Sequence, residues 1–248
     1  LSDTEREAME AGDIWWDGEL FSGRPDWQKL LETPDPKLTS EEQAFVDNQL
    51  AELLDMLDDF KIVQQDRDLP KPVWDFLRKE HFFAMIIGKE YGGLDFSPAA
   101  NSYIVSRIAS RSISAAVSVM VPNSLGPGEL LTHYGTDEQK EQFLPKIANA
   151  EINWSQGYSE PDSGSDLASL QTKAVEDGDD FVVSGSKIWN SAHAGSDWMF
   201  MLVRTDPDAP KHRGISFVLS ELETDGVTVE RIPMMWEAYR GLVTFDNV

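Results

Sequence analysis

The sequence predicts an α+β protein, an all-α half followed by a half built of strands, and three observations carry that reading. Between residues 40 and 150 apolar side chains recur at the spacing of amphipathic helices. Beyond Ile152 that spacing gives way to alternation and to β-branched residues, the signal of half-buried strands. The 248 residues suffice for two cores, because domains commonly run to about 100–200 residues. The resulting division is an extension over 1–39, a helical domain over 40–150 and a β domain over 151–248.

The extension carries Trp15, Trp16 and Trp27 among Gly, Pro and acidic residues, without sustained periodicity. Its aromatics are expected to dock it on a neighbouring surface, since an indole left in water forfeits a large burial energy. A first helix starts at a Ser40/Gln43 capping box and buries Val46, Leu50, Leu53, Leu54 and Leu57. A second, short helix opens near Pro72 and carries Val73, Phe76 and Leu77, with proline suited to a first turn. A third follows Ser97-Pro98 and runs through Ile104, Val105 and Ile108 into the small residues of 112–118. A fourth, Thr136 to Ala148, has a Thr136/Gln139 capping box, and Gly135 before it is expected in the left-handed conformation. In the β half, Asp177-Gly178 predicts a hairpin between Thr172–Val175 and Phe181–Val183. Further strands are predicted at 198–204, 214–219, 227–232 and 242–245.

Composition narrows the function classes. A hydrophobic content of 41% with eight Trp is that of a folded globular chain. The 44 acidic against 21 basic residues, net −23 and concentrated in the first 80 positions, repel phosphate backbones, so no nucleic-acid partner is expected. An acidic surface of this kind reads as a solubility or salt-adaptation feature. Zero cysteines exclude disulfides and thiolate chemistry and suit a reducing cytoplasm. No run approaches the roughly 18 apolar residues of a membrane span. No leader pattern opens the chain, which starts at Leu1 without Met, and an upstream piece is expected.

The common catalytic signatures are absent: no Gly-x-Ser-x-Gly elbow, Walker loop or intact Gly-x-Gly-x-x-Gly occurs. Gly126-Pro127-Gly128 reads as a helix-entry turn. His81, His133, His193 and His212 are too far apart in sequence to make a His-x3-His metal pair, and no metal is expected. Two segments remain. In residues 154–166 a strand runs into a loop dense in hydroxyls and small residues, whose amides suit the polar edge of a ring or a phosphate. The same loop reads equally well as a capped surface turn. At Lys187-Ile188-Trp189-Asn190-Ser191 a Trp beside hydroxyl and amide groups suits a flat cofactor. Taken singly, Trp189 reads as a core residue.

Order and spacing connect these segments to others. Glu90-Tyr91-Gly92-Gly93, Tyr134-Gly135-Thr136-Asp137-Glu138-Gln139-Lys140, Ser159-Glu160-Pro161 with Gly164-Ser165-Asp166, the Gly185 to Trp189 strand and the closing Phe245 to Val248 together resemble the acyl-CoA dehydrogenase family. Over residues 1–150 the chain is most similar to the large fatty-acid-degrading members of bacteria, extension included, while the later part looks like ordinary-sized members. The resemblance implies a helical N-terminal domain, a middle antiparallel β-barrel-like domain, and the absence here of the family's C-terminal helical bundle. It implies FAD, with Gln156, Tyr158, Ser159 and Ser165 lining the isoalloxazine and ribityl, and Ser165 also near the substrate's CoA arm. Trp189 would cover the ring and Ser191 would hydrogen-bond near N5. Asn190 stands where the family commonly has an apolar residue and is kept as a cofactor-binding candidate. Asp162 replaces a frequent Gly or Glu and tunes the loop.

The implied reaction is α,β-dehydrogenation of a fatty acyl-CoA to the trans-2-enoyl-CoA, the first step of β-oxidation. Electron-transfer flavoprotein is the implied acceptor and a homo-oligomer the implied full-length assembly, with membrane association left open. The family's base, a Glu of the C-terminal domain, has no counterpart here, so no catalytic residue is named; Glu160 and Asp166 are read as loop carboxylates. Rival readings are a flavin-dependent oxidase or monooxygenase on the same scaffold, and a non-catalytic interaction module. Residues 1–248 alone are expected to bind FAD weakly and to oxidise octanoyl- or palmitoyl-CoA little or not at all, which a dye-reduction assay checks.

Overall fold

The computed structural model describes residues 16–123, 125–192, 195–235 and 239–248. Helices come first and strands after, as the change of spacing at Ile152 predicts. In the extension, helix α1 (Trp27–Leu31) is capped by Asp26, whose carboxylate accepts from the Gln28 and Lys29 amides. Trp16 packs on Trp27 with ring centroids 4.9 Å apart and donates its indole N–H to the Asp26 carbonyl. Trp16 is buried, whereas Phe21, Trp27 and Leu31 remain exposed. Trp15 lies outside the described residues.

The next helices, α2 (Ser40–Phe45) and α3 (Ala51–Met56), run on from one another through a widened turn at Val46–Leu50. Leu50, Leu53 and Leu57 are buried as their spacing requires, joined by Phe45. The capping box is Thr39 with Glu42, one residue earlier than the sequence suggests. Thr39 Oγ1 accepts the Glu42 amide at 3.2 Å and Glu42 Oε2 accepts the Thr39 amide at 2.7 Å. Glu42 Oε1 also accepts the Ser97 amide at 2.7 Å, so one buried carboxylate serves two helix starts, a task the exposed Gln43 does not share. Helix α4 (Lys71–Lys79) has proline in its first turn and buries Val73 and Leu77.

Helix α5 (Pro98–Ala109) is capped by Ser97 and does not continue into the small-residue stretch. The chain breaks at Ser112, whose extended backbone and hydroxyl start a separate helix, α6 (Ile113–Met120). A serine that bonds backbone amides competes with the helical ladder and resets it. After α7 (Pro127–Tyr134), Gly135 is extended, φ −68°, not left-handed. Its smallness matters for another reason: a Cβ there would lie 2.7 Å from the Leu131 carbonyl oxygen. Helix α8 (Asp137–Ala148) carries the expected Thr136/Gln139 box. No helix among the described residues is long and apolar enough to cross a membrane.

The strands are β1 (Trp154–Gly157), β2 (Lys173–Asp177), β3 (Asp180–Asn190), β4 (Trp198–Arg204), β5 (Ile215–Glu221), β6 (Val227–Pro233) and β7 (Tyr239–Phe245). The β2–β3 hairpin turns at Gly178, φ +68°, as Asp-Gly predicts. Pairing runs β1-β4-β2-β3-β7-β6, and β5 pairs with β4 off this path. The sheet is mixed, because β4 lies parallel to β1 and to β2. The resemblance implies an antiparallel sheet; alternation reports which face is buried and carries nothing about strand direction, so it does not foretell the parallel pairs. The long β3 pairs first with β2 and then with β7, so it links the two parts of the sheet.

Helices and sheet share a core at their junction. Leu131 from α7, Phe143, Leu144 and Ile147 from α8, Trp154 from β1 and Phe200 from β4 form one buried cluster. Phe143 meets Trp154 and Trp198 edge-on, at 5.7 and 5.1 Å between centroids. Deleting a fully buried ring from such a junction costs about 3–5 kcal/mol. Phe200→Ala is therefore expected to lower the urea midpoint of both halves together; separate midpoints for helix and strand amides by hydrogen exchange would show that the halves fold independently.

Candidate functional site

The site begins where β1 ends. Both faces of β1 are covered, with Trp154, Ser155 and Gly157 buried and Gln156 half-buried, and the chain then leaves the sheet in a loop through Tyr158, Ser159 and Glu160. The Ser159 carbonyl accepts the Ile188 amide at 2.8 Å, so the start of the loop lies against the end of β3. That bond brings the two sequence segments together: Tyr158 to Glu160 runs beside Lys187 to Trp189.

A buried ion pair reinforces the seam. Lys187 Nζ lies 2.7 Å from Glu160 Oε1 and 3.4 Å from the Tyr158 carbonyl, with the Lys187 side chain wholly buried and Glu160 nearly so. Glu160 also accepts the Gln171 amide at 2.6 Å and the Thr172 amide at 2.9 Å. Burial alone would raise the Glu160 pKa, but bonds from Lys187, Thr172 and Gln171 outweigh it and hold the carboxyl below its usual value. Burial likewise lowers the Lys187 pKa, against the pull of Glu160. The loop is closed on itself by reciprocal Glu160/Ser163 backbone bonds, by Ser163 Oγ on the Asp166 carbonyl and by Ser169 Oγ on the Asp166 carboxylate. Arg204 on β4 ties its far end through the Ala168 and Leu170 carbonyls.

Trp189 differs from the core residue that it resembles in isolation. The register of β3 on β7 slips between Ile188 and Asn190, and Trp189 sits at this bulge with φ +65° and 54% of its surface exposed. The bulge takes it out of the alternation that would otherwise bury it. Ser191 is exposed, as is Ser165 at the loop tip, whereas Gln156, Tyr158 and Ser159 are half-buried. Tyr158 packs edge-on against Phe200, and burial raises its pKa. Asn190 is buried, and its carboxamide donates to the Lys187 carbonyl at 3.0 Å and accepts the Ala192 amide at 3.2 Å.

The seven candidates therefore fall into a set with exposed or half-buried surface around the corner and one residue, Asn190, whose amide is used inside the protein. Sequence reasoning missed Lys187, Thr172 and Arg204 as the loop's anchors. The signal was present: Lys187 occupies an inward position of β3, where alternation from Val183 calls for an apolar side chain.

The sequence profile of the acyl-CoA dehydrogenase N-terminal domain matches residues 37–151, and that of the family's middle domain matches 155–248. The chain belongs to the acyl-CoA dehydrogenase family. Acyl-CoA dehydrogenase FadE26 of Mycobacterium tuberculosis is 43% identical over 141 residues, covering 56% of this chain and 34% of that protein. Probable acyl-CoA dehydrogenase FadE10 of Mycobacterium bovis is 31% identical over 234 residues, 90% of this chain and 35% of that protein. Among solved structures, the Tcur3481-Tcur3483 steroid ACAD aligns with a TM-score of 0.69 and 30% identity over 87% of this chain and 56% of that one. The chain thus spans about a third of the length of these curated relatives.

The seam has a pH signature. A carboxyl whose folded pKa lies below its unfolded value, about 4.3 for Glu, adds stability above that value and loses it as pH falls through the folded pKa. Removing one partner of a buried pair costs about 3–5 kcal/mol because the other charge is left uncompensated. Glu160→Gln is expected to lose stability of that order at pH 7 in urea titrations, and the gap from wild type should narrow at and below about pH 4. An equal gap at pH 7 and pH 3 would assign the loss to packing.

Proposed function

We propose that residues 1–248 form the flavin-holding part of an FAD-dependent acyl-CoA dehydrogenase that converts an acyl-CoA to its trans-2-enoyl-CoA. The observation that carries the reading is the exposed Trp189, held at a strand bulge beside a loop of hydroxyls and amides. An exposed indole next to polar groups suits a flat ring with heteroatoms on its edge, which is the chemistry of an isoalloxazine. In this reading Trp189 covers the ring, and Gln156, Tyr158, Ser159 and Ser165 supply donors and acceptors along it, with Ser165 facing the CoA arm. Ser191 presents its hydroxyl at the ring edge. FAD, when bound, supplies the hydride acceptor.

The described site residues orient, and neither carboxylate of the loop is poised to abstract the α-proton. Glu160 is excluded by its bonds: both oxygens are taken, one of them by a buried ammonium that keeps the carboxylate ionised and weakly basic. Asp166 is exposed and accepts from Ser169. A base for so weak a carbon acid needs desolvation and a raised pKa, so it is assigned to a part of the protein outside these residues. Electron-transfer flavoprotein is the proposed acceptor and an assembly of dehydrogenase subunits the proposed form. The steroid dehydrogenase among the structural relatives makes a bulky acyl group as eligible as a linear fatty one.

The test is anaerobic. Full-length protein reconstituted with FAD should show a bound-flavin spectrum, and adding straight-chain and steroid-bearing acyl-CoA in turn should bleach the band near 450 nm for one of them, roughly stoichiometrically. Absence of any bound flavin favours the interaction module. Bleaching that reverses in air within seconds, without an added acceptor, favours the oxidase.

A further inference from the structure

The chain spends a buried amide at the one corner where its exposed indole must be held. Asn190 is 5% exposed, and its two side-chain bonds close the turn on both sides of the bulge, to the Lys187 carbonyl before Trp189 and from the Ala192 amide after Ser191. Directly across the ladder its partner is Gly241. The Gly241 backbone is not in the left-handed region, so no conformational demand calls for glycine there. Space does: a Cβ at 241 would stand 2.2 Å from Asn190 Oδ1. The missing side chain at Gly241 and the amide at Asn190 are therefore two halves of one fitting.

The geometry points to Asn190 and Gly241 as a latch that sets the pose of Trp189 and Ser191 without either residue touching the ligand. Asn190 is in this sense a positioning residue. The inference rests on the flavin reading above, since it makes the latch a determinant of FAD affinity. Without the carboxamide, the turn samples poses in which the indole and the Ser191 hydroxyl no longer face the same ligand. Apparent affinity then falls by the fraction of molecules that remain competent. The adjoining Glu160/Lys187 pair holds β3 and the loop in place up to Ile188. The latch governs only the turn from Trp189 to Ala192.

Two variants and two readouts test it in the full-length protein. Asn190→Ala removes both bonds; Gly241→Ala leaves Asn190 in the sequence and takes its space. In the apo protein, hydrogen exchange of the Ala192 amide should accelerate about ten-fold in each, as loss of one or two ordinary hydrogen bonds implies. Titration with FAD, followed by flavin fluorescence well below the unfolding temperature, should give a dissociation constant raised about ten-fold in each. In the double variant Gly241→Ala should add little, because the side chain it displaces is already gone. Faster exchange with unchanged FAD affinity would reduce Asn190 to a structural residue and overturn the proposal. So would weaker FAD binding in Asn190→Ala alone, with Gly241→Ala like wild type in both readouts, since that pattern belongs to a direct ligand contact. Wild-type protein that takes up no FAD sinks the flavin reading and the positioning role with it, while the exchange data still report whether the latch exists.

Discussion

The ion pair of Glu160 with Lys187 is the constraint on which the site depends. Burying two charges is expensive, and their attraction repays the cost only when the remaining lone pairs and protons are also satisfied. Here they are: Glu160 accepts from Lys187 and from two successive backbone amides, and Lys187 reaches the Tyr158 carbonyl as well. The consequence is geometric. One carboxylate fixes the first turn of the loop, the entry to β2 and the inward face of β3 relative to one another, and a loop rich in small polar residues acquires a single shape.

The helical half serves this arrangement by giving the sheet a back wall. Helices α7 and α8 lay Leu131, Phe143 and Ile147 on Trp154 and Phe200 of β1 and β4, so β1 is clamped between a helix layer and its parallel neighbour before it enters the loop. Glu42 plays within the helices the part that Glu160 plays in the sheet. It is a buried carboxylate that joins two chain segments far apart in sequence, in this case the starts of α2 and α5. In both places a charge is tolerated inside because backbone amides, which cannot be deleted, are its partners.

Local rules made most of the architecture legible. Proline at the start of α4, serine before α5, the Thr136/Gln139 box and the Asp-Gly hairpin all act within a few residues, and each stands where its chemistry places it. What the sequence hid was long-range. The Thr39/Glu42 box won over Ser40/Gln43 because Glu42 has a second task at Ser97, 55 residues away. The direction of β1 against β4 depends on how the intervening hairpin is laid, which no strand pattern encodes. Lys187 finds its partner 27 residues earlier, a pairing that no local pattern announces. The candidate residues were found as a set through the family motifs; their division into accessible groups and a buried amide needed the bulge at Trp189.

That bulge is the strongest physical pointer to a ligand. Among the described residues other than glycine, Trp189 is the one positive-φ residue within a strand. A non-glycine side chain in this region costs about 1–3 kcal/mol, and an indole more than half exposed gives up burial energy besides. A sequence selected for stability alone would place a small polar residue or glycine at this point and return the aromatic to the core. The protein instead surrounds the strained position with anchors: Ile188 bonded to Ser159, Lys187 paired with Glu160, Asn190 bonded across the turn. On the proposed flavin reading, a flat partner covering the ring offsets the lost burial, and the surrounding bonds hold the indole in position for it.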